Sequence, residues 1–169
     1  IVLEKILTTP INTYYFKTID STKLKRYNGN TIDNVLSKNS GVFVKQYGSG
    51  NLATISIRGA GANQTQVYWN DIPINSATLG MTDLSLFSSN YYDKIIIQKG
   101  GSALANGFGS IGGSLRLFST SPNKNINSIC FNQSIGSFGK FQTSLNSNYN
   151  IKNIASITAY TFSKTENNF

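Results

Sequence analysis

The sequence predicts an α+β domain followed by the start of a transmembrane antiparallel β-barrel. Three observations carry this reading. Up to about residue 120 the chain mixes short apolar runs, one amphipathic helical segment and glycine-rich loops. From Ile126 onward it changes to long apolar-polar alternation broken by turn residues. The composition, 39% hydrophobic but only 13% charged, with nine Tyr and ten Phe, favours strands and turns over helices. Strands of about ten residues joined by tight turns are the pattern of a membrane barrel, and their alternation leaves only a weak hydropathy signal. No apolar run approaches the roughly eighteen residues that a spanning helix requires.

The opening strip Ile1 to Pro10 is too short to be a domain element. Thr13 to Ile19 reads as a strand, after which Asp20 or Ser21 can cap a short helical turn through Lys25, closed by Gly29. Thr31 caps a second helix. In it Ile32, Val35 and Leu36 share one face, and Gly41 supplies the left-handed residue that ends it. Val42 to Tyr47 and Ala53 to Arg58 read as strands around a Gly48-Ser-Gly50 loop, with Ile55 and Ile57 on one face and Thr54, Ser56 and Arg58 on the other. Past the loop Gly59 to Gln64, the strand Gln66 to Trp69 turns at Asn70-Asp71, two residues that tolerate positive φ, into Ile72 to Asn75. A third loop, Ser76 to Gly80, precedes an acid-capped piece from Thr82 to Phe87. The apolar run Ile95 to Ile97 is a buried strand, and Ser102 to Ala105 a helical turn.

Gly107-x-Gly109-x-x-Gly112 has the spacing of a dinucleotide-binding fingerprint. Such a site needs a helix after the glycine turn and an acid about twenty residues later. Here Ser114 to Phe118 alternates as a strand, and no Asp or Glu lies between Asp93 and Glu166. The glycines are therefore read as letting backbones reverse and approach closely. Beyond Pro122, the segments Ile129 to Ile135, Phe141 to Tyr149 and Ile154 to Phe162 are barrel strands, with turns at Gly136 to Gly139 and Asn148 to Asn153 and a domain boundary near Thr120 to Asn125.

Whole classes of chemistry fall away. With no histidine and one cysteine there is no intrachain disulfide, no Cys/His zinc site and no His-based triad; no catalytic or metal-ligating residue and no cofactor is assigned. Cys130 sits in an alternating segment and reads as a buried or lipid-facing small hydrophobe. The net charge of +8 comes from scattered lysines with only three arginines, which argues against a nucleic-acid partner.

Taken together in order and spacing, Ser56-Ile-Arg-Gly59, Gln64 to Asn75, Leu79 to Ser85, Ile97 to Leu104 and Gly107-x-Gly-Ser-Ile-Gly-Gly113 resemble the plug domain of TonB-dependent outer-membrane receptors. The resemblance runs from about Leu3 to Thr120. It implies a non-enzymatic receptor in the outer membrane of a Gram-negative bacterium, divided into a TonB-box-like segment at 1–10, a plug at 11–122 and the first barrel strands at 123–169. A plugged barrel of this class has 22 strands. At about ten residues each these need more than roughly two hundred residues, so the chain is expected to be the N-terminal part of a receptor, cut short or completed by another chain.

By the same resemblance, Leu3, Glu4, Lys5, Ile6 and Leu7 stand where a TonB-type energy-coupling protein adds a strand. Loops 47–52, 60–64 and 75–79 match substrate-binding apical loops, with Tyr47, Asn51, Asn63, Gln64, Asn75 and Thr78 as the candidate contacts to a small-molecule nutrient. Arg58 matches an arginine that latches plug to barrel-wall carboxylates, and Lys99 replaces the second latch arginine. Lysine is the poorer bidentate partner. Asp71 stands where a glycine commonly follows the turn residue. The remaining barrel strands, outer-membrane lipid and a surface lipoprotein are the other partners implied. Residues 66–80 look most like Bacteroidota receptors, including cobalamin receptors. A ferric-siderophore or glycan receptor, and a plug-like ligand-sensing module without transport, are the alternatives.

Overall fold

A computed structural model describes residues 15–48, 50–100, 110–119, 127–151 and 154–166. The segment Leu3 to Leu7, the helical turn expected at 102–105, Gly107 and Gly109, and the boundary at 120–125 lie outside the described residues.

Strand β1, Tyr15–Ile19, leads into the short helix α1, Ser21–Lys25, whose N-cap Asp20 accepts a hydrogen bond from the Lys23 backbone N–H at 3.0 Å. Helix α2, Ile32–Asn39, begins at Thr31, whose hydroxyl accepts from the Asn34 side chain at 2.7 Å instead of from a backbone amide. Its apolar face is fully buried at Ile32, Val35 and Leu36, and Gly41 beyond it has the expected φ of +63°. Strands β2, Phe43–Gln46, and β3, Ala53–Ser56, form a separate two-stranded sheet. β3 stops short of the expected Arg58, which takes φ +55° because the chain must already be turning into the loop beyond it. Thr54, on the face opposite Ile55, is buried as well.

The main sheet has the order β1-β6-β7-β4-β5, with β4 Thr65–Trp69, β5 Ile72–Pro73, β6 Tyr92–Lys99 and β7 Gly113–Ser119. β4 and β7 run parallel; the other pairs are antiparallel. Asn70 and Asp71 both take positive φ, 46° and 66°, and make the predicted tight turn of the β4–β5 hairpin. The register aligns Val67 with Leu115 and Leu115 with Ile97, and Leu117 with Ile95, giving an apolar stripe across three strands. These residues join Ile19, Leu24, the α2 face and Ile55 and Ile57 in one core. Burial of such side chains stabilises by roughly 1.5–3 kcal/mol each. One end of the sheet carries Thr65, Lys99 and Gly113, the other Trp69, Tyr92 and Ser119.

A second antiparallel sheet, order β10-β9-β8, contains β8 Ser128–Ile135, β9 Phe141–Ile151 and β10 Ile154–Lys164. β9 runs on through Asn148 to Ile151, so the second turn is shorter than expected: continuous pairing as far as Ile151 with Ile154 holds those residues in the ladder. The register puts Phe131, Leu145 and Tyr160 in one row and Cys130, Asn146 and Ala159 in the next. One face is therefore apolar and exposed, with Ile129, Phe131, Tyr149 and Tyr160 at 78%, 61%, 52% and 57% exposure. The other, with Asn132, Gln142, Ser144 and Asn146, is polar. Gln142 is buried, and a Cβ at Gly29 would stand 3.4 Å from its amide, so the polar face is turned toward the α+β domain. Cys130 lies on this polar face and is exposed. Strand register, not the local apolar neighbours Ile129 and Phe131, decides its side.

Candidate functional site

The three candidate loops differ in how far their side chains are already engaged. In the first, Tyr47 donates its backbone N–H to Leu52 at 3.1 Å, and the Asn51 amide donates to the Tyr47 carbonyl at 3.4 Å. The Tyr47 ring is 53% exposed and lies beneath the Lys45 ammonium, 4.6 Å from its centroid. The phenol of Tyr47 and the exposed side of Asn51 remain open to a ligand. In the second loop a 3-10 turn spans Ala62–Gln64, and the Gln64 side chain accepts from the Gly61 N–H at 3.0 Å, rigidifying the turn. Asn63 is exposed, and a Cβ at Gly80 would stand 3.3 Å from the Asn63 Cβ, so loops two and three touch.

Asn75 acts inside the third loop. Its side-chain oxygen accepts from the Val67 N–H at 2.7 Å, and its amide donates to the carbonyls of Thr65 at 3.0 Å and Gly80 at 2.7 Å. Asn75 thus holds the loop shape, while Thr78 and Leu79 are exposed at its tip. The structure brings loops two and three together and places loop one beyond β3, a strand about 10 Å long. Asp83 ties these parts to one another, accepting from the Ala53 and Ser85 N–H groups, each at 3.0 Å.

Beneath loop two, Gly112 donates to the Gln64 carbonyl at 3.1 Å and accepts from Gly100 N–H at 3.2 Å. A Cβ on Gly112 would stand 2.8 Å from the Ile57 carbonyl oxygen, and one on Gly113, at φ +149°, would run into the Gln98 carbonyl. These two glycines allow close backbone approach, and β7 begins at Gly113, a strand where the phosphate reading would need a helix.

Arg58 is exposed and its guanidinium packs against Gly100. Lys99 donates to the Gly41 carbonyl at 3.3 Å and lies 5.4 Å from the centre of the Tyr15 ring. The ion pairs among the described residues are Arg116 with Asp71 at 3.0 Å and Lys164 with Glu166 at 4.0 Å, so neither Arg58 nor Lys99 meets a carboxylate there. Sequence reasoning missed Arg116, which pairs with Asp71 and lies 5.3 Å from the centre of the Tyr68 ring. Burial raises the Tyr68 phenol above its ordinary value, and the Arg116 charge partly opposes that. Asp71, in a turn position where a glycine is common, was the one local signal for this pair.

The plug-domain model of TonB-dependent receptors matches residues 8–114. Solved structures with the same fold include the ferric-catecholate import receptor Fiu from E. coli K12, at 21% identity and a TM-score of 0.71 over 90% of this chain and 21% of that one. The pyoverdine outer-membrane receptor FpvA from Pseudomonas aeruginosa PAO1 aligns at 20% identity and 0.78, over 93% of this chain and 23% of that one. The siderophore receptor PiuA from Acinetobacter baumannii aligns at 19% identity and 0.73, over 90% and 21%. The curated proteins contain no match. The chain thus spans about a fifth of the length of the receptors it resembles, the part that in this fold comprises the plug and the first barrel strands. A match over most of the α+β domain, joined to strands whose polar face is turned toward that domain, establishes that the chain belongs to the TonB-dependent receptor plug-domain family.

Proposed function

We propose that the chain is the N-terminal part of an outer-membrane importer of a Gram-negative bacterium, which binds a scarce nutrient at its plug loops and admits it when a TonB-type protein pulls on Leu3 to Leu7. The observation that carries this reading is the two-faced β8–β10 sheet, apolar outward and polar toward the plug, the arrangement a plugged barrel wall needs. In this role Tyr47, Asn51, Asn63, Gln64 and Thr78 contact the nutrient and Asn75 fixes the loop that presents them. Arg58 and Lys99 meet carboxylates of wall strands beyond the chain described here. Cobalamin is one candidate nutrient, from the texture of residues 66–80. A ferric siderophore is the second reading, favoured by the siderophore receptors among the structural neighbours.

Deleting Leu3 to Leu7 from the complete receptor tests the transport role. Energised uptake should be lost while ligand binding at the cell surface persists. Uptake at the unmutated rate would remove the coupling role of this segment.

A further inference from the structure

The hold on β1 changes along its length. Ile19 pairs with Ile95, is 1% exposed and belongs to the core, whereas Tyr15 at the start of the strand is 56% exposed and pairs with Lys99. Residues directly opposite each other in an antiparallel ladder project to one face. In this register it is the face of Ile95 and Ile97, which form the core together with the α2 side chains. Where that apolar stripe ends, the Lys99 ammonium takes over, 5.4 Å from the centre of the Tyr15 ring. β1 is an edge strand paired only with β6, and Ile19 is its one buried residue. Its first residues are therefore held by the backbone ladder and by this cation–aromatic contact.

The same ammonium reaches the corner that follows α2. It donates to the Gly41 carbonyl at 3.3 Å, across 58 positions of sequence. The near side of that corner is set by Ser40, whose buried hydroxyl donates to the Leu36 carbonyl and accepts from the Val42 N–H at 3.2 Å. Gly41, at φ +63°, turns the chain into β2, which runs directly to Tyr47 and the first candidate loop. One charge thus touches both the first strand after Leu3 to Leu7 and the corner from which loop one springs. An ammonium carries three N–H groups, so these contacts coexist with the wall carboxylate proposed for Lys99.

We infer that Lys99 is a positioning residue that couples the start of β1 to the first candidate loop. With Tyr15 in place the ammonium is held against Gly41; displacement of Tyr15 frees it and loosens residues 41–47. Because such coupling is reciprocal, a shift of loop one that moves Gly41 weakens the hold on Tyr15. That a pull on Leu3 to Leu7 is what displaces Tyr15 rests on the importer reading; the tie between Tyr15, Lys99 and Gly41 does not.

Amide hydrogen exchange, which reports local opening, tests the tie in the complete receptor in detergent, read on peptides covering 15–19 and 41–47. An exposed cation–aromatic contact corresponds to a change of about two- to fivefold in opening. Lys99→Met should speed exchange of both segments by that factor. Tyr15→Leu should speed exchange at 41–47 when Lys99 is present and have no effect there in Lys99→Met. Lys99→Arg keeps the cation and a donor, and Tyr15→Phe keeps the ring, so both should leave the rates near the original. Residues 113–119 of β7 are the internal control and should not change. The inference is overturned if the effect of Tyr15→Leu stays within 15–19, if it is the same with and without Lys99, if Lys99→Arg is as damaging as Lys99→Met, or if β7 speeds up equally. Energised uptake by the unmutated receptor is measured in parallel. Its absence with the exchange coupling present removes the importer reading and leaves the tie, and uptake without the exchange coupling removes only the tie.

Discussion

Asn75 and Tyr47 sit in separate candidate loops and do different work. Asn75 makes three hydrogen bonds to backbone groups, so Asn75→Ala should destabilise the plug by about 2–3 kcal/mol, at roughly 1 kcal/mol per bond. Proteolysis of residues 15–119 in the detergent-solubilised receptor would detect this as faster cleavage. Tyr47→Ala should leave cleavage unchanged, since its phenol is exposed. Gly113 is held where any side chain would meet the Gln98 carbonyl, and Gly113→Ala should cost at least about 2 kcal/mol by the same assay. Tyr92 responds to pH. Burial, assisted by Tyr91, raises its phenol far above the ordinary value of 10. The folded state therefore holds the proton more tightly than the unfolded chain, and stability falls as pH rises beyond about 10. A melting series in alkali should show that fall lessened in Tyr92→Phe.

At the level of elements, what could be read in sequence was what local chemistry decides. The apolar triad of α2 and the Gly41 that ends it, the Asp20 cap and the Asn70-Asp71 turn each lie within a few residues of their cause. The Arg116–Asp71 pair was not legible, because the two residues are 45 positions apart and meet only through the parallel register of β4 and β7. The same holds for Asn75, whose neighbours in sequence do not reveal that it bridges β4 and Gly80, and for Cys130, whose face is set by pairing. The Asp71 side chain is 59% exposed, so Asp71→Ala should cost less than about 1 kcal/mol by the proteolysis assay, despite the short ion pair. Strands β8 and β10 each have one edge without a partner among the described residues. Exposed edges beside an apolar face template association, so residues 1–169 produced alone should aggregate, as light scattering in dilute detergent would record.

For the whole molecule, the central claim is that β8–β10 are a piece of barrel wall with lipid on one side and the plug on the other. It joins the family assignment to the function proposed, since a plug has a gating role only inside such a wall. Spin labels placed one at a time along β9 of the complete receptor in lipid bilayers test it most directly. The account predicts a period of two, with labels at Leu145 and Tyr149 accessible to oxygen in the lipid and labels at Ser144 and Asn146 shielded from it. Equal accessibility of both sets to a water-soluble relaxation agent, with no alternation along the strand, would contradict it.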